Sequence, residues 1–174
     1  MQMTIGFSKP TWRTPPSGCM KCNVDGAFDP RTGQGATGAV LRNHSGSFVS
    51  GRARWYQYGL DSLTLEALAC KDGVLLAAEM GVQRLQVETD SQELVKLWEA
   101  VDTQRSRISS ILKEIKDSRA AFFDFSLMYS NRSCNQVAHV LARQVSDDIR
   151  MGEWHSATSC VLHLLTEDCI PVDS

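Results

Sequence analysis

The sequence predicts one α/β domain in which a mixed sheet of five strands is covered by helices on both faces. The first observation is that three strand-like segments precede the first long helix. The second is that strands and helices then alternate. The resulting order, β-β-β-α-β-α-α-β-α, is typical of three antiparallel strands followed by parallel ones. The third is size, because 174 residues with 43% hydrophobic side chains can bury the core of one domain.

Strands are indicated where short apolar segments lie between turn signals. The tripeptide His44-Ser45-Gly46 is one such signal and predicts a short hairpin between the second and third strands. The first and fourth strands of such an order can be neighbours at the centre of the sheet. The predicted strands are residues 21–25, 36–43, 47–56, 85–90 and 122–130.

Helices are indicated by apolar residues at helical spacing and by capping residues. The first begins at Asp61 or Ser62 as N-cap and ends before Gly81, and only the internal Gly73 weakens it. Ser91 is available as the cap of the next. The predicted helices are residues 62–80, 91–101, 106–122 and 135–149.

Both ends of the chain differ from the domain between them. Residues 1–18 contain TWRTPPSG, whose prolines and glycine predict an extended lead-in. Residues 19–149 form the predicted domain. Residues 150–174 form a C-terminal tail in which an apolar stretch around 161–165 predicts a short helix.

Composition restricts the partners and the compartment. The net charge is −2 with a pI near 6.1, so a nucleic acid would be bound locally, since proteins that bind it by bulk electrostatics are usually basic. No run approaches the roughly 20 apolar residues of a membrane helix, and MQMTIGFSKP lacks the features of a secretory signal. The six scattered cysteines are typical of reduced thiols. We expect an intracellular monomer, nuclear or cytoplasmic, with no membrane contact.

Cys19 and Cys22 have the spacing of a metal-binding pair. A zinc site would need two further ligands, for which Cys160, His163 and Cys169 are candidates. The alternation of the first strand instead directs Cys22 into the core, where free cysteine is common. We therefore set the zinc hypothesis aside.

Three acidic residues stand where a sheet of this type gathers functional groups. Asp25 ends the first predicted strand, Asp90 ends the fourth, and Glu66 lies about one turn into the first helix. Each has a structural alternative: an Asp-Gly turn, an exposed helix glutamate, and a strand-to-helix turn. Together they predict a cation site, because neighbouring carboxylates repel unless a cation lies between them, and Mg²⁺ and Mn²⁺ prefer oxygen ligands.

Five strings in this order, NVDGAF, GATGAVLRN, LEALA, VETDSQELV and RSCNQVAHVLA, resemble the ribonuclease H fold. The resemblance covers about residues 19–148 and is strongest to the plant ribonuclease H-like domain of retrotransposon reverse transcriptases and their free-standing relatives. It implies a nuclease that cuts the RNA strand of an RNA–DNA hybrid with two Mg²⁺ ions held by four carboxylates. The first three of these fall on Asp25, Glu66 and Asp90.

The fourth carboxylate is replaced by His139 in this sequence. A neutral imidazole can ligate a divalent cation but brings no negative charge, and Mn²⁺ accepts nitrogen more readily than Mg²⁺ does. An Asp-Glu-Asp-His set resembles the sites of slicing Argonaute domains, which share this fold. The alternative is that His139 lies solvated at the rim of its helix and binds no metal.

Substrate contacts are fewer than the resemblance implies for type 1 enzymes. Residues 62–65 read Ser-Leu-Thr-Leu where the family usually has asparagines, and the basic protrusion of some members is absent. Glycine amides that could approach phosphate, and Arg132, remain as backbone contacts. The expected substrate-binding residues are Gly26, Gly35, Gly38, Ser91, Arg132 and Asn135.

Two functions from different classes follow. The first is two-metal hydrolysis of RNA in RNA–DNA hybrids, with Asp25, Glu66, Asp90 and His139 as ligands and a 5′-phosphate and a 3′-hydroxyl as products. The second is a domesticated, catalytically weak or silent domain that binds nucleic acid or a protein partner. The three acids favour the enzyme, while His139 and the apolar Leu63 favour the silent domain.

Overall fold

The computed structural model describes residues 9–168, in which six strands form one sheet and five α-helices pack against it. Residues 1–8 of the predicted lead-in, and Cys169 with the end of the predicted tail, lie outside the described residues. The elements are β1 (Met20–Phe28), β2 (Gly35–Arg42), β3 (Phe48–Tyr56), α1 (Ser62–Glu79), β4 (Arg84–Thr89), α2 (Gln92–Glu99), α3 (Ser109–Ser118), β5 (Asp124–Tyr129), α4 (Gln136–Ala142), β6 (Met151–Trp154) and α5 (Leu162–Asp168).

The strand order is β5-β4-β1-β2-β3-β6. The meander β1-β2-β3 is antiparallel, whereas β4 lies parallel to β1 and β5 lies parallel to β4. The predicted mixed sheet is therefore confirmed, including the central position of β1 beside β4. This arrangement matters for the site because parallel neighbours bring the residues at their carboxyl ends to one edge of the sheet.

A sixth strand corrects the predicted count of five. Strand β6 comes from the segment predicted as a tail and pairs antiparallel with β3, from Gly51 opposite Trp154 to Arg54 opposite Met151. The four residues MGEW are too short to show an alternating pattern, and only the pairing with β3 makes them a strand. The short helix predicted around 161–165 is present as α5.

Helix boundaries agree with the sequence where a cap is present. Asp61 Oδ1 accepts a hydrogen bond from Thr64 N at 2.8 Å and starts α1 at the predicted residue. The helix predicted at 135–149 is shorter, because α4 ends at Ala142 and the chain then turns. Val145 is still buried in this turn, beside Ala36 and Ala53 of the sheet. The spacing of Val145 correctly indicates that its side chain is buried, but a residue after the end of a helix can be buried equally well.

Strand β1 divides the domain into two packing layers. Cys22 and Val24 face α1 and belong to the main hydrophobic core. The alternate residues face the opposite layer, where Asn23 Nδ2 donates to the backbone oxygen of Cys134 at 3.4 Å and α4 covers the sheet. The two-residue period of the strand therefore sends the side chain of Asp25 to the α4 side. No helix within residues 9–168 has both the length and the hydropathy to cross a membrane.

The lead-in before β1 closes the second layer through Trp12. Its ring is 3% exposed, its Nε1 donates to Asn23 Oδ1 at 2.8 Å, and the Arg42 guanidinium lies 3.7 Å from the ring centroid. Arg42 in turn forms an ion pair of 2.6 Å with Asp168 of α5. The described parts of both flanking segments, residues 9–18 and 150–168, therefore belong to the folded domain.

Candidate active site

Asp25 lies inside β1, and not at its end as the sequence predicted, because Gly26 to Phe28 continue the pairing with β2. Its side chain is only 8% exposed. The residue opposite it on β2 is Gly38. A Cβ at Gly38 would lie 2.1 Å from the Ala138 backbone oxygen, so the missing side chain allows α4 to rest directly on the sheet. Helix α4 therefore passes close to Asp25.

Glu66 approaches Asp25 from the other layer. It lies one turn into α1, and α1 crosses β1 at Gly26, where a Cβ would be 2.6 Å from the Glu66 nitrogen. A larger residue at position 26 would therefore push the helix off the strand. Thr89 Oγ1 donates to Glu66 Oε2 at 3.5 Å and fixes the carboxyl group on the β4 side.

Asp90 follows β4 directly, and the parallel register places Thr89 beside Val24. Asp90 therefore comes next to Asp25 across the two strands. The next residue, Ser91, is the N-cap of α2, since its Oγ accepts a hydrogen bond from Leu94 N at 3.2 Å. Strand β4 thus ends in a tight turn that holds Asp90 at the sheet edge.

These three carboxylates form one cluster. One oxygen from each of Asp25, Glu66 and Asp90 lies within 4.8 Å of the others. Among the Asp, Glu, His and Cys side chains of residues 9–168, these three are the ones close enough together to hold a metal ion. The oxygens suit a hard cation such as Mg²⁺ or Mn²⁺. The proposed site therefore draws its ligands from β1, α1 and the end of β4.

The electrostatics of the cluster are unfavourable without a cation. Burial, together with the neighbouring charges of Asp25 and Asp90, raises the pKa of Glu66 from its ordinary 4.5 to about 9. Burial also raises the pKa of Asp25 from 3.8 to about 6, although the hydrogen bond to His139 acts in the opposite direction. Near neutral pH the cluster therefore retains a proton on Glu66, which a divalent cation would displace.

His139 contacts one of the three acids and does not belong to the cluster itself. Its Nδ1 lies 2.9 Å from Asp25 Oδ2, and its side chain is 47% exposed. This position results from the close packing of α4 on Gly38. The imidazole thus contacts the carboxylate of Asp25 and does not lie free in solvent. It is not part of the group of three side chains that could hold a metal ion.

An open cleft of about 400 Å³ gives access to the cluster. Gly26, Ser91 and Arg132 line it, as the sequence analysis expected of substrate-binding residues. The Arg132 side chain is 86% exposed and its Nε lies 3.6 Å from Asp90 Oδ2. A guanidinium at this position can reach both an acidic ligand and an anion that enters the cleft.

Three other expected substrate contacts are corrected by the structure. Gly35 and Gly38 are buried, and a Cβ at Gly35 would lie 2.1 Å from Leu65 Cδ1, so protein atoms occupy the space that a phosphate would need. Asn135 is 1% exposed and donates through Nδ2 to the Val24 backbone oxygen at 2.8 Å. These residues allow α1 and α4 to pack closely on the sheet, and none of the three lines the cleft above the carboxylates.

One residue of the site was missed by the sequence analysis. Thr89 donates to Glu66, and its Oγ1 also accepts a hydrogen bond from Ser91 N at 3.1 Å. The signal in the sequence was a hydroxyl side chain directly before Asp90. Thr89 was instead interpreted only as a residue of the predicted strand. The cysteine pair gives no support for zinc, because Cys22 is completely buried and burial raises its thiol pKa to about 12.

Comparisons with known proteins agree with this architecture. Residues 23–145 match the sequence model of a family described as reverse transcriptase-like. Among proteins with curated functions, none matches the chain by sequence.

Several solved structures that resemble the chain are ribonucleases H. Ribonuclease H1 from Halobacterium salinarum is 22% identical with a TM-score of 0.68, over 75% of this chain and 98% of that one. The N-terminal ribonuclease H domain of a Mycobacterium tuberculosis protein is 18% identical with a TM-score of 0.66, over 75% and 95%. The compost-derived LC11 ribonuclease H1, solved with an RNA/DNA hybrid, is 14% identical with a TM-score of 0.66, over 74% and 97%. These similarities show the fold.

Proposed function

This chain belongs to the reverse transcriptase-like family, with a ribonuclease H-like domain, and we propose that it is a metal-dependent ribonuclease that cuts the RNA strand of RNA–DNA hybrids. One observation carries the proposal. Carboxylates from three separate elements converge at the floor of an open cleft, where burial and mutual repulsion make them costly without a cation. Such a cluster destabilises the fold, because buried carboxylates without a partner are unfavourable, and groups of this kind occur preferentially at functional sites.

The residues of the cleft divide into ligands and contacts. Asp25, Glu66 and Asp90 hold the divalent metal, either Mg²⁺ or Mn²⁺. When bound, the metal would supply water activation and stabilisation of the leaving oxygen, the chemistry of two-metal hydrolysis if a second ion joins. Arg132, exposed at the rim beside Asp90, binds a phosphate of the scissile strand. His139, half exposed beside Asp25, orients that carboxylate through a contact of 2.9 Å.

The substrate class rests on similarity and on the cleft together. The LC11 ribonuclease H1, which has the same fold, was solved with an RNA/DNA hybrid. The cleft in this chain is open and reaches the carboxylates, and its acidic floor needs a metal before a phosphate can approach. The cleft therefore suits a phosphate backbone, and the choice of an RNA–DNA hybrid over other nucleic acids rests on the similarity.

His139 favours a second function of a different class. The family resemblance implies a carboxylate at this position, whereas the imidazole contributes no negative charge and already contacts Asp25 at 2.9 Å. A cation in the cluster is therefore held by one negative charge fewer. The second candidate is accordingly a domain that retains the cleft for nucleic-acid or protein binding without rapid cleavage.

Cleavage of a labelled hybrid by wild type and by Asp90→Asn, in Mg²⁺ and then in Mn²⁺, separates the two functions. Loss of one ligand should reduce cleavage by about 100-fold or more, because even changes outside the ligand shell cost 10–100-fold. Glu99→Gln, which removes an exposed carboxylate of α2, is the matched control. Equal cleavage by wild type and Asp90→Asn would expose a contaminating nuclease. Absence of cleavage by wild type in both metals would refute the ribonuclease function and favour the second candidate, a binding domain without catalysis.

A further inference from the structure

A short loop beside the cleft displays two large apolar side chains to solvent. We call residues 57–60, between β3 and α1, the rim loop. Tyr58 is 78% exposed and Leu60 is 75% exposed. The loop is joined to the cleft because Ser62 and Leu63, directly after it, line the cleft wall.

Leu60 has a backbone conformation that leucine rarely adopts. Its φ is +66°, and the Asp61 amide donates to the Gly59 oxygen at 2.9 Å, which closes a tight turn around it. Within the described residues it is the one non-glycine residue with positive φ. A glycine or asparagine would satisfy this turn at lower cost. Because the Leu60 side chain is mostly exposed, packing in the core does not offset the strain of its backbone. The strain therefore indicates a role in binding.

The rim loop is held in place before anything binds to it. The Gly59 amide donates to the Gly33 oxygen of the β1-β2 connection at 2.7 Å, and a Cβ at Gly59 would lie 3.1 Å from the ring of Phe28, which also lines the cleft. Asp61, directly after the loop, caps α1 and pairs with Arg107 at 2.6 Å. Tyr58 and Leu60 are therefore presented in a fixed position, which lowers the entropy lost on binding.

Two exposed arginines, each paired with a carboxylate, lie on segments that contact the loop or the residue directly after it. Arg31 of the β1-β2 connection is 87% exposed and its partner Asp29 is 36% exposed. Arg107 is 56% exposed and its partner Asp61 is 33% exposed. In both ion pairs the guanidinium extends further into solvent than the carboxylate. Exposed aromatic and apolar side chains near exposed guanidinium groups suit single-stranded nucleic acid, in which bases stack on aromatic rings and phosphates meet positive charge.

We propose that the rim loop binds a single-stranded extension of the hybrid substrate, with Tyr58 stacked on an unpaired base and Leu60 packed against it. Bases inside a duplex are stacked on each other and cannot offer their faces to a tyrosine, so the loop discriminates ends and single strands from continuous hybrid. This inference rests on the proposed function, because the strand reaches the loop from the cleft. It names the preferred substrate as a hybrid with an unpaired flank.

Fluorescence anisotropy at low salt tests binding, with Ca²⁺ in place of Mg²⁺ or Mn²⁺ so that the acidic cluster holds a cation of a different coordination geometry. A denaturing gel of the RNA strand checks that the probes stay intact. The probes are a short blunt RNA–DNA hybrid, the same hybrid with a single-stranded RNA extension at its 5′ or its 3′ end, and the extension alone. Wild type should bind one of the extended hybrids more tightly than the blunt one. Tyr58→Ala and Leu60→Gly should each remove that preference and weaken binding of the extended hybrid about 5- to 20-fold, the range for loss of one stacked base.

Leu60→Gly separates a binding role from a folding role. Glycine is favoured at φ of +66°, so this variant should melt at or above the temperature of wild type while its affinity falls. Phe123→Ala, which removes another exposed aromatic ring far along the chain, is the matched control and should bind all probes like wild type.

The outcomes distinguish failure of the inference from failure of the proposed function. If wild type binds blunt and extended hybrids equally, or if the rim variants lose the same affinity for both, the single-strand proposal is wrong while hybrid binding stands. If both variants bind every probe like wild type, the rim loop has no contact with nucleic acid and is free for a protein partner. If wild type binds none of the probes, the hybrid function and the rim proposal both fall.

Discussion

Glu66→Gln is expected to change the pH dependence of folding stability in the metal-free protein. Burial raises the pKa of Glu66 to about 9 in the folded state, whereas the unfolded chain should titrate near the ordinary 4.5. Between these values the folded protein keeps a proton that the unfolded chain has lost. The stabilisation from this proton is complete below about pH 4.5 and is lost as the pH rises to about 9.

The slope follows from one proton. A difference of one bound proton changes the free energy of unfolding by about 1.4 kcal/mol per pH unit. From pH 6.5 to 8.5, above the Asp25 pKa of about 6, wild type should lose about 2.7 kcal/mol that Glu66→Gln keeps. For a domain of this size the loss corresponds to a decrease of about 5–10 °C in Tm.

Urea denaturation in EDTA at several pH values measures this slope. The difference in unfolding free energy between Glu66→Gln and wild type should grow steadily from pH 6.5 to 8.5, whereas Glu99→Gln should stay parallel to wild type. Saturating Mg²⁺ or Mn²⁺ should flatten the wild-type slope, because the cation replaces the proton and stabilises the folded state by mass action. Parallel curves for wild type and Glu66→Gln would show that Glu66 is already ionised and would refute the electrostatic account of the cluster.

Three other perturbations test how the site is assembled. His139→Asp should raise the affinity for Mg²⁺ measured by calorimetry, since it adds a negative charge to the cluster, and unchanged affinity would place position 139 outside the metal site. Gly38→Ala should lower the free energy of unfolding by about 1–3 kcal/mol, because its Cβ would meet the Ala138 oxygen; denaturation with wild-type stability would contradict the close packing of α4. Trp12→Ala should cost about 3–5 kcal/mol by the same measurement, and a negligible cost would show that the lead-in is not part of the core.

Much of the site could be predicted from the sequence because its chemistry depends on residue type and on strand order. Three acids on β1, α1 and the end of β4 must meet once β1 and β4 are neighbours, and the strand order alone suggested that they are. The contacts of single residues were harder to predict. Asn135 and Gly38 stand in the two other strings that carry the resemblance, yet their roles depend on how closely α4 approaches the sheet.

The sequence by itself determined the mixed sheet, the positions of Asp25, Glu66 and Asp90, and the replacement of a fourth acid by His139. These follow from periodicity, capping and motif order, which act over neighbouring residues. Only the tertiary structure decided that β6 extends the sheet, that His139 partners Asp25, and that Leu60 is held at positive φ beside the cleft. Each of these depends on contacts between segments far apart in the chain, and such contacts are fixed by packing and leave no local pattern in the sequence.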